Sequence, residues 1–392
     1  MIDYAFIDLF ERDTVDKQFV IEVSDGQTID NTVLYENSFT LEQSIVSGNT
    51  LKFGGCNATS VKFRIRNSVL SLIGKTIVVK IYIDNKSLPL HLGTYKVETD
   101  VYTEGRLYRD VTAYDSLYEI CNTDITDWYK SLPTLPTLTM GNAIQYFCEK
   151  FHIQKNFRNL PMDSIEFKKQ LNIKVDARRF LEDYFELNGG FGYINNANQL
   201  CFITIDNSNP IVKTYKRLQS VKYEDYFAEP IIKVTINDGN NTGYAMLDDG
   251  NEYIINNNLY LFEKESEELT RIAETLLEQI GNCKYKIMTD LTVKGNPCLE
   301  PGDRIWVEDG SVRFDTFVLH RTLNGIQAMK DNVAADGTQF QENVAKRRTT
   351  SEQTKANTEA INRMSRTSLR VVWVASEEEV GDDPYTFYCI EK

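Results

Sequence analysis

Side chains able to do chemistry are few and scattered in this 392-residue chain. His91, His152 and His320 lie in three separate segments, each among apolar or β-type neighbours. A Cys–His or Ser–His dyad would have to be assembled by the fold, because no GxSxG or comparable nucleophile setting occurs. Neither HExxH nor a paired-histidine spacing is present to hold a peptidase zinc. The seven cysteines, Cys56, Cys121, Cys148, Cys201, Cys283, Cys298 and Cys389, are far apart, odd in number and without a CxxC pair. That pattern predicts buried free thiols, not a disulfide framework or a zinc site. Gly189-Gly190-Phe191-Gly192 follows a helical stretch and opens a hairpin, the reverse of the strand–glycine–helix order of a phosphate loop, so it reads as a helix stop.

Oxygen-rich and charged runs are no more specific. Asn237–Asn241 (NDGNN) and Asp248–Asn251 (DDGN) lack the twelve-residue calcium loop with its terminal Glu, and hairpin turns explain both. Glu377–Glu379 with Asp382 and Asp383 reads as a solvated acidic loop, and Lys346-Arg347-Arg348 is too short for a nucleic-acid patch. The expectation is therefore no catalytic, cofactor-binding or metal-binding residue. Net charge of −14 argues against an adhesive nucleic-acid binder, since affinity for phosphate backbones comes largely from Lys and Arg. No run approaches the roughly 18 apolar residues of a membrane span. The acidic start MIDYAFIDLFERD is unlike a basic signal peptide, so folding in a cytosol is expected.

The elements that would have to position any site are mostly strands. Gln18–Ser24, Thr32–Glu36, Ser38–Ser44, Ser60–Arg66, Thr76–Ile83 and Gly93–Thr99 are short, alternating and separated by turn clusters. A helical insert follows: Tyr114–Cys121, a helix capped by Thr139, and one capped by Asp176 and stopped at Asn188-Gly189-Gly190. Phe191–Ile194 and Leu200–Ile205 form a hairpin. Strands resume at Ile231–Ile236, Gly243–Leu247 and Glu252–Ile255, with NDGN and DDGN as hairpin turns. Glu263–Ile280 carries the clearest helical stripe, and Tyr285–Lys294, Arg304–Val307 and Thr316–Asn324 are strands again. Beyond Gly337 the chain turns polar, with two last strands at Arg370–Val374 and Thr386–Ile390. The fold class is α+β. Residues 1–115 form a first β-barrel-like domain and 116–205 an αβ insert. Residues 206–337 form a second barrel-like domain with helix 263–280 inserted, and 338–392 a polar helical stalk with a short β-hairpin.

Five blocks in order resemble one family: Ser38–Ile65, LGTYKVETD with LYRDVTAYDSLYEI (92–120), KRLQSVKYEDY (216–226), GNPCLEPGDRI (295–305) and RTLNGIQAMKDNVAADG (321–337). Together they are similar to the tail hub, or N-terminal tail-associated, proteins of siphophages and related prophages, which share the fold of the myophage baseplate hub. The resemblance implies a homotrimer of paired β domains, ringed in pseudo-sixfold fashion to match the tail tube. It implies a non-enzymatic virion protein at the tail tip, assembled in the host cytoplasm. Its implied partners are distal tail, tail-tube, tape-measure and tail-fibre or receptor-binding proteins, with transient contact to exiting DNA. The chain lacks the large C-terminal region of longer members, so wall digestion and host recognition are expected to belong to other tail proteins. A peptidoglycan endopeptidase and a cell-surface carbohydrate-binding adhesin are the alternative functions.

Overall fold

The computed structural model describes residues 9–340, except 11, 13, 49, 68, 69, 85–87 and 135–137, and two strands near the C-terminus. The first β-rich region comprises β1 (Lys17–Val23), β2 (Thr28–Asp30), β3 (Thr40–Ser44), β4 (Ser60–Arg66), β5 (Thr76–Ile83), β6 (Leu90–Thr103) and β7 (Tyr108–Tyr114). Alternation does what it predicts here. In β1 the residues Phe19, Ile21 and Val23 are buried while the intervening positions are partly or fully exposed, and Ile77, Val79, Ile81 and Ile83 of β5 face the same core. Thr32–Glu36 is not a strand. The Asp30 carboxylate accepts from Thr32 N (2.9 Å) and Thr32 Oγ1 (2.6 Å), which turns the backbone, and only Leu34 bridges to Ile65.

The helical insert forms as the Thr139 and Asp176 caps predict, but Tyr114 ends β7 and the first helix starts only at Ser116. Asp115 accepts from Leu117 N at 2.9 Å and starts α1 (Ser116–Cys121). After α2 (Thr126–Ser131), Thr139 caps α3 (Met140–Lys150), and β8 (Gln154–Lys155) follows. Asp176 caps α4 (Ala177–Leu187), which ends at Gly189 with φ +67°, a conformation that favours glycine. The hairpin of β9 (Phe191–Ile194) and β10 (Gln199–Ile203) is antiparallel as expected. Stacked rings of Phe147 and Phe180, 5.1 Å apart, with Trp128 and Tyr260 edge-on or tilted against Phe180, form the insert's core.

The second β-rich region starts with β11 (Ile211–Tyr215), β12 (Leu218–Ala228), β13 (Lys233–Asn237), β14 (Thr242–Met246) and β15 (Glu252–Asn256). After α5 (Ser266–Ile280) come β16 (Tyr285–Lys294), β17 (Arg304–Asp309), β18 (Val312–Phe317), β19 (His320–Asn324) and β20 (Lys330–Ala335). NDGN makes the hairpin of β13 and β14, but DDGN does not make one. It carries the chain across β13, so that β15 pairs with β13 in parallel on its far side, and α5 packs against this three-stranded sheet.

Two closed barrels are not formed. Among the described residues one open sheet of eleven strands runs β12-β16-β20-β19-β3-β4-β7-β6-β5-β1-β2 and draws from both β-rich regions. The physical reason is edge pairing. β19 pairs with β20 of its own region on one edge and with β3 on the other, Ser44 opposite His320, so strands of both regions join one sheet. The sheet curls around a core that joins Phe19, Phe39 and Val61 to Leu323, Ile326 and Met329. Its gap is bridged by a side chain: Gln327 Nε2 donates to the Lys17 carbonyl at 2.6 Å and Gln327 Oε1 accepts from Lys17 N at 3.3 Å. The rest of the second region forms the β14-β13-β15 sheet and a β11-β17-β18 sheet.

The C-terminal pair β21 (Arg370–Val374) and β22 (Thr386–Ile390) is parallel, Arg370 opposite Thr386, and therefore is not the expected hairpin, which requires antiparallel strands. The stalk and the acidic segment lie outside the described residues.

Candidate functional site

The fold does assemble one Ser–His pair, at the seam where β3 meets β19. His320 Nδ1 lies 2.7 Å from Ser44 Oγ, and His320 Nε2 lies 3.8 Å from Asp336 Oδ2. Three residue types of a hydrolytic triad thus stand in a row, but their protons run the wrong way. Ser44 Oγ donates to the Val46 carbonyl at 2.6 Å, an acceptor only, so the network makes His320 Nδ1–H the donor to Ser44. A nucleophile needs the imidazole to accept the hydroxyl proton. Nε2 has no hydrogen-bond partner among the described residues. The arrangement fixes a strand junction and leaves the hydroxyl unactivated.

The other histidines stand apart from it. His91 is an exposed position of β6 whose carbonyl accepts from Asn196 Nδ2 at 2.8 Å. His152 follows α3 with φ +53°. Cys56, Cys121, Cys148, Cys201, Cys283 and Cys298 are buried and unpaired as disulfides. Burial pushes the Cys148 thiol up to about 11 and raises that of Cys283, so both are held away from the reactive thiolate. Asp238 Oδ1 accepts from Asn240 N and Asn241 N, both at 2.7 Å, which commits that oxygen of the NDGNN carboxylate to its own turn. Among the described residues no three His, Cys, Asp or Glu side chains converge as a metal site.

Next to His320 sits a residue that motif reasoning missed. Arg321 is 2% exposed and ties both β-rich regions together. Its Nε donates to Asp331 Oδ1 at 2.8 Å, Nη2 to the Asn296 carbonyl at 2.6 Å, and Nη1 to the Leu299 carbonyl and to Gln43 Oε1 of β3 (3.2 Å). Asp331 Oδ2 accepts in turn from Asn296 N at 2.6 Å. The turn of the GNPCLEPGDRI block is thus an acceptor cage for one guanidinium. The signal was readable: Arg321 and Asp331 occupy inward positions of successive strands, where an unpaired charge would be prohibitive. In the same turn, burial pushes the Asp303 carboxyl up to about 7 and raises that of Glu300.

Geometry of this kind locks strands of the two β-rich regions together. No protein-family model and no curated protein matches the sequence. Solved structures do match it. A tail protein from Neisseria meningitidis MC58 is 12% identical at a TM-score of 0.50, over 82% of this chain and 97% of that one. The 43 kDa tail protein of prophage MuSo2 from Shewanella oneidensis is 11% identical at a TM-score of 0.53, over 82% of this chain and 99% of that one. At such identities the likeness is one of fold, and it spans nearly the whole of both neighbours. The fold of this chain is the fold of phage tail proteins.

Proposed function

We propose that the protein is a structural, non-enzymatic tail hub of a long-tailed phage or prophage, most akin to the siphophage type. Three copies form a ring that adapts or closes the distal end of the tail tube and anchors tail-tip proteins during DNA delivery. The observation that carries this reading is the near-complete overlap with two tail proteins, 97% and 99% of their lengths, in place of a match to one shared module. The Ser44–His320 pair supports the non-enzymatic part, because its hydroxyl proton is directed to a carbonyl. Distal tail, tail-tube and tape-measure proteins are the expected neighbours on one side, and tail-fibre or receptor-binding proteins on the other. Exiting DNA touches the ring only in passage, and the ring is assembled in the host cytoplasm.

Two measurements test this reading. Light scattering on the purified protein, or image averaging of assembled tails, should give three copies per ring at the distal end of the tube. A dimeric ring, or antibody labelling along the tube or capsid, would sink the proposal. A cell-wall zymogram should stay blank, and clearing by the native protein that is lost in Ser44→Ala would establish the hydrolase instead. Deleting 369–392 should leave the rings intact and weaken attachment of what lies distal to them.

A further inference from the structure

Strand register sets two lysines face to face. Lys294 of β16 lies directly opposite Lys330 of β20, and like charges in directly opposed positions repel. A third lysine, Lys17 at the head of β1, lines the same groove, which holds about 480 Å³ and is completed by Asp16, Gln219 and Gln327. Lys17 is 4% exposed. Its Nζ donates to the Gln327 carbonyl at 2.7 Å, which uses one of three donors. Lys294 Nζ donates to the Arg12 carbonyl, also a neutral partner. Burial, reinforced by Lys294, pulls the Lys17 ammonium below the usual lysine range, and Asp16 and Asp84 offset this only in part.

This is an odd place for such a cluster. The chain carries 57 acidic against 43 basic residues, so carboxylates are in excess. Yet among the described residues none forms an ion pair with Lys17, Lys294 or Lys330, while Lys62, Lys75, Lys80, Lys96, Lys168 and Lys284 are all paired. Three lysines lining one groove exceed what its single carboxylate, Asp16, neutralises, and a tetrahedral dianion supplies both the charge and the acceptor oxygens. The volume suits one small ligand. A long polyanion is disfavoured by the net charge of −14.

We propose that the groove between Lys17, Lys294 and Lys330 binds a compact oxyanion of the phosphate-monoester class. The proposal is independent of the tail-hub reading. Inorganic phosphate is the probe, titrated into the full chain by calorimetry and thermal melting, with chloride at matched ionic strength as reference. Phosphate should bind saturably and raise the melting temperature where chloride does not. Lys294 and Lys330 are exposed, so Lys294→Gln with Lys330→Gln should fold, melt no lower than the native protein without phosphate, and bind phosphate at least tenfold more weakly. Lys17→Met should also weaken binding if it folds. Equal responses to phosphate and chloride, or native affinity in the double variant, overturn the proposal. Tighter binding of succinate would reassign the site to carboxylates and overturn it too. So would tighter binding of a single-stranded oligonucleotide lost in the same variant, which would indicate a nucleic-acid backbone.

Discussion

Asp115 gives the molecule an unusual response to pH. It caps α1 and accepts from Thr59 N and Leu117 N, yet burial at 3% exposure pushes its carboxyl up to about 7. A folded-state value above the unfolded value means the native state binds the extra proton. This contribution is fully present below about pH 4 and is lost as pH rises to about 7. Relative to Asp115→Asn, the native protein should therefore lose about 3 kcal/mol between pH 4 and pH 7, as read by urea unfolding at each pH. A flat difference would show that the carboxylate stays ionised. Arg321 makes a second prediction at this scale. Arg321→Met leaves Asp331 buried and unpaired and should destabilise by about 3–5 kcal/mol, while adding Asp331→Leu should recover most of the loss. The chemistry at this scale was only half legible. Cap residues Thr139 and Asp176 were readable, because a cap acts within three residues. Ser44–His320 and Arg321–Gln43 were not, since each joins residues that only the sheet brings together.

Elements were legible where alternation and caps agreed, and illegible where a connection decides the partner. DDGN is as good a hairpin signal as NDGN, but β15 pairs in parallel with β13, and α5 packs on β14 and β13 of the same sheet. Gly243 shows how close that helix lies. A methyl group there would strike the backbone of Leu269 and Thr270. Gly243→Ala should cost about 1–3 kcal/mol through this clash, measured by denaturant midpoint. Gly55 is the corresponding point of the first region, where a methyl group would meet the Ile45 carbonyl, and Gly55→Ala should cost a similar amount. Exposed Gly26, with φ +89° and open space around it, makes the contrast, and its substitution acts only through backbone strain. If all three changes cost the same, close approach is not what Gly55 and Gly243 provide.

For the molecule as a whole, composition and strand spacing indicated the α+β class but not how strands are shared. Two regions of similar strand content read naturally as two barrels. Edge pairing is invisible to local sequence, because the partner of a strand is fixed by which edge is free when the core closes. The consequence is testable by dissection. A chain ending at residue 344 retains every strand of the eleven-stranded sheet and should unfold cooperatively. A fragment of residues 1–205 lacks β19 and the core residues Leu323, Ile326 and Met329, and should not fold to a dispersed, cooperative species. A stable 1–205 fragment would restore the independent first domain.

The Ser44–His320 seam also sets a clock. The two residues are 276 positions apart. At translation rates of about 5–20 residues per second, the ribosome delivers β19 on the order of tens of seconds after β3. Until then the early strands wait with an unpaired edge and an unfilled core, the state in which nascent chains aggregate or recruit chaperones. Contacts of such long sequence separation also slow folding from denaturant, because their loop entropy falls due before their contacts form. Slowing translation upstream of residue 320 should lower soluble yield, and the same delay placed after residue 344 should not.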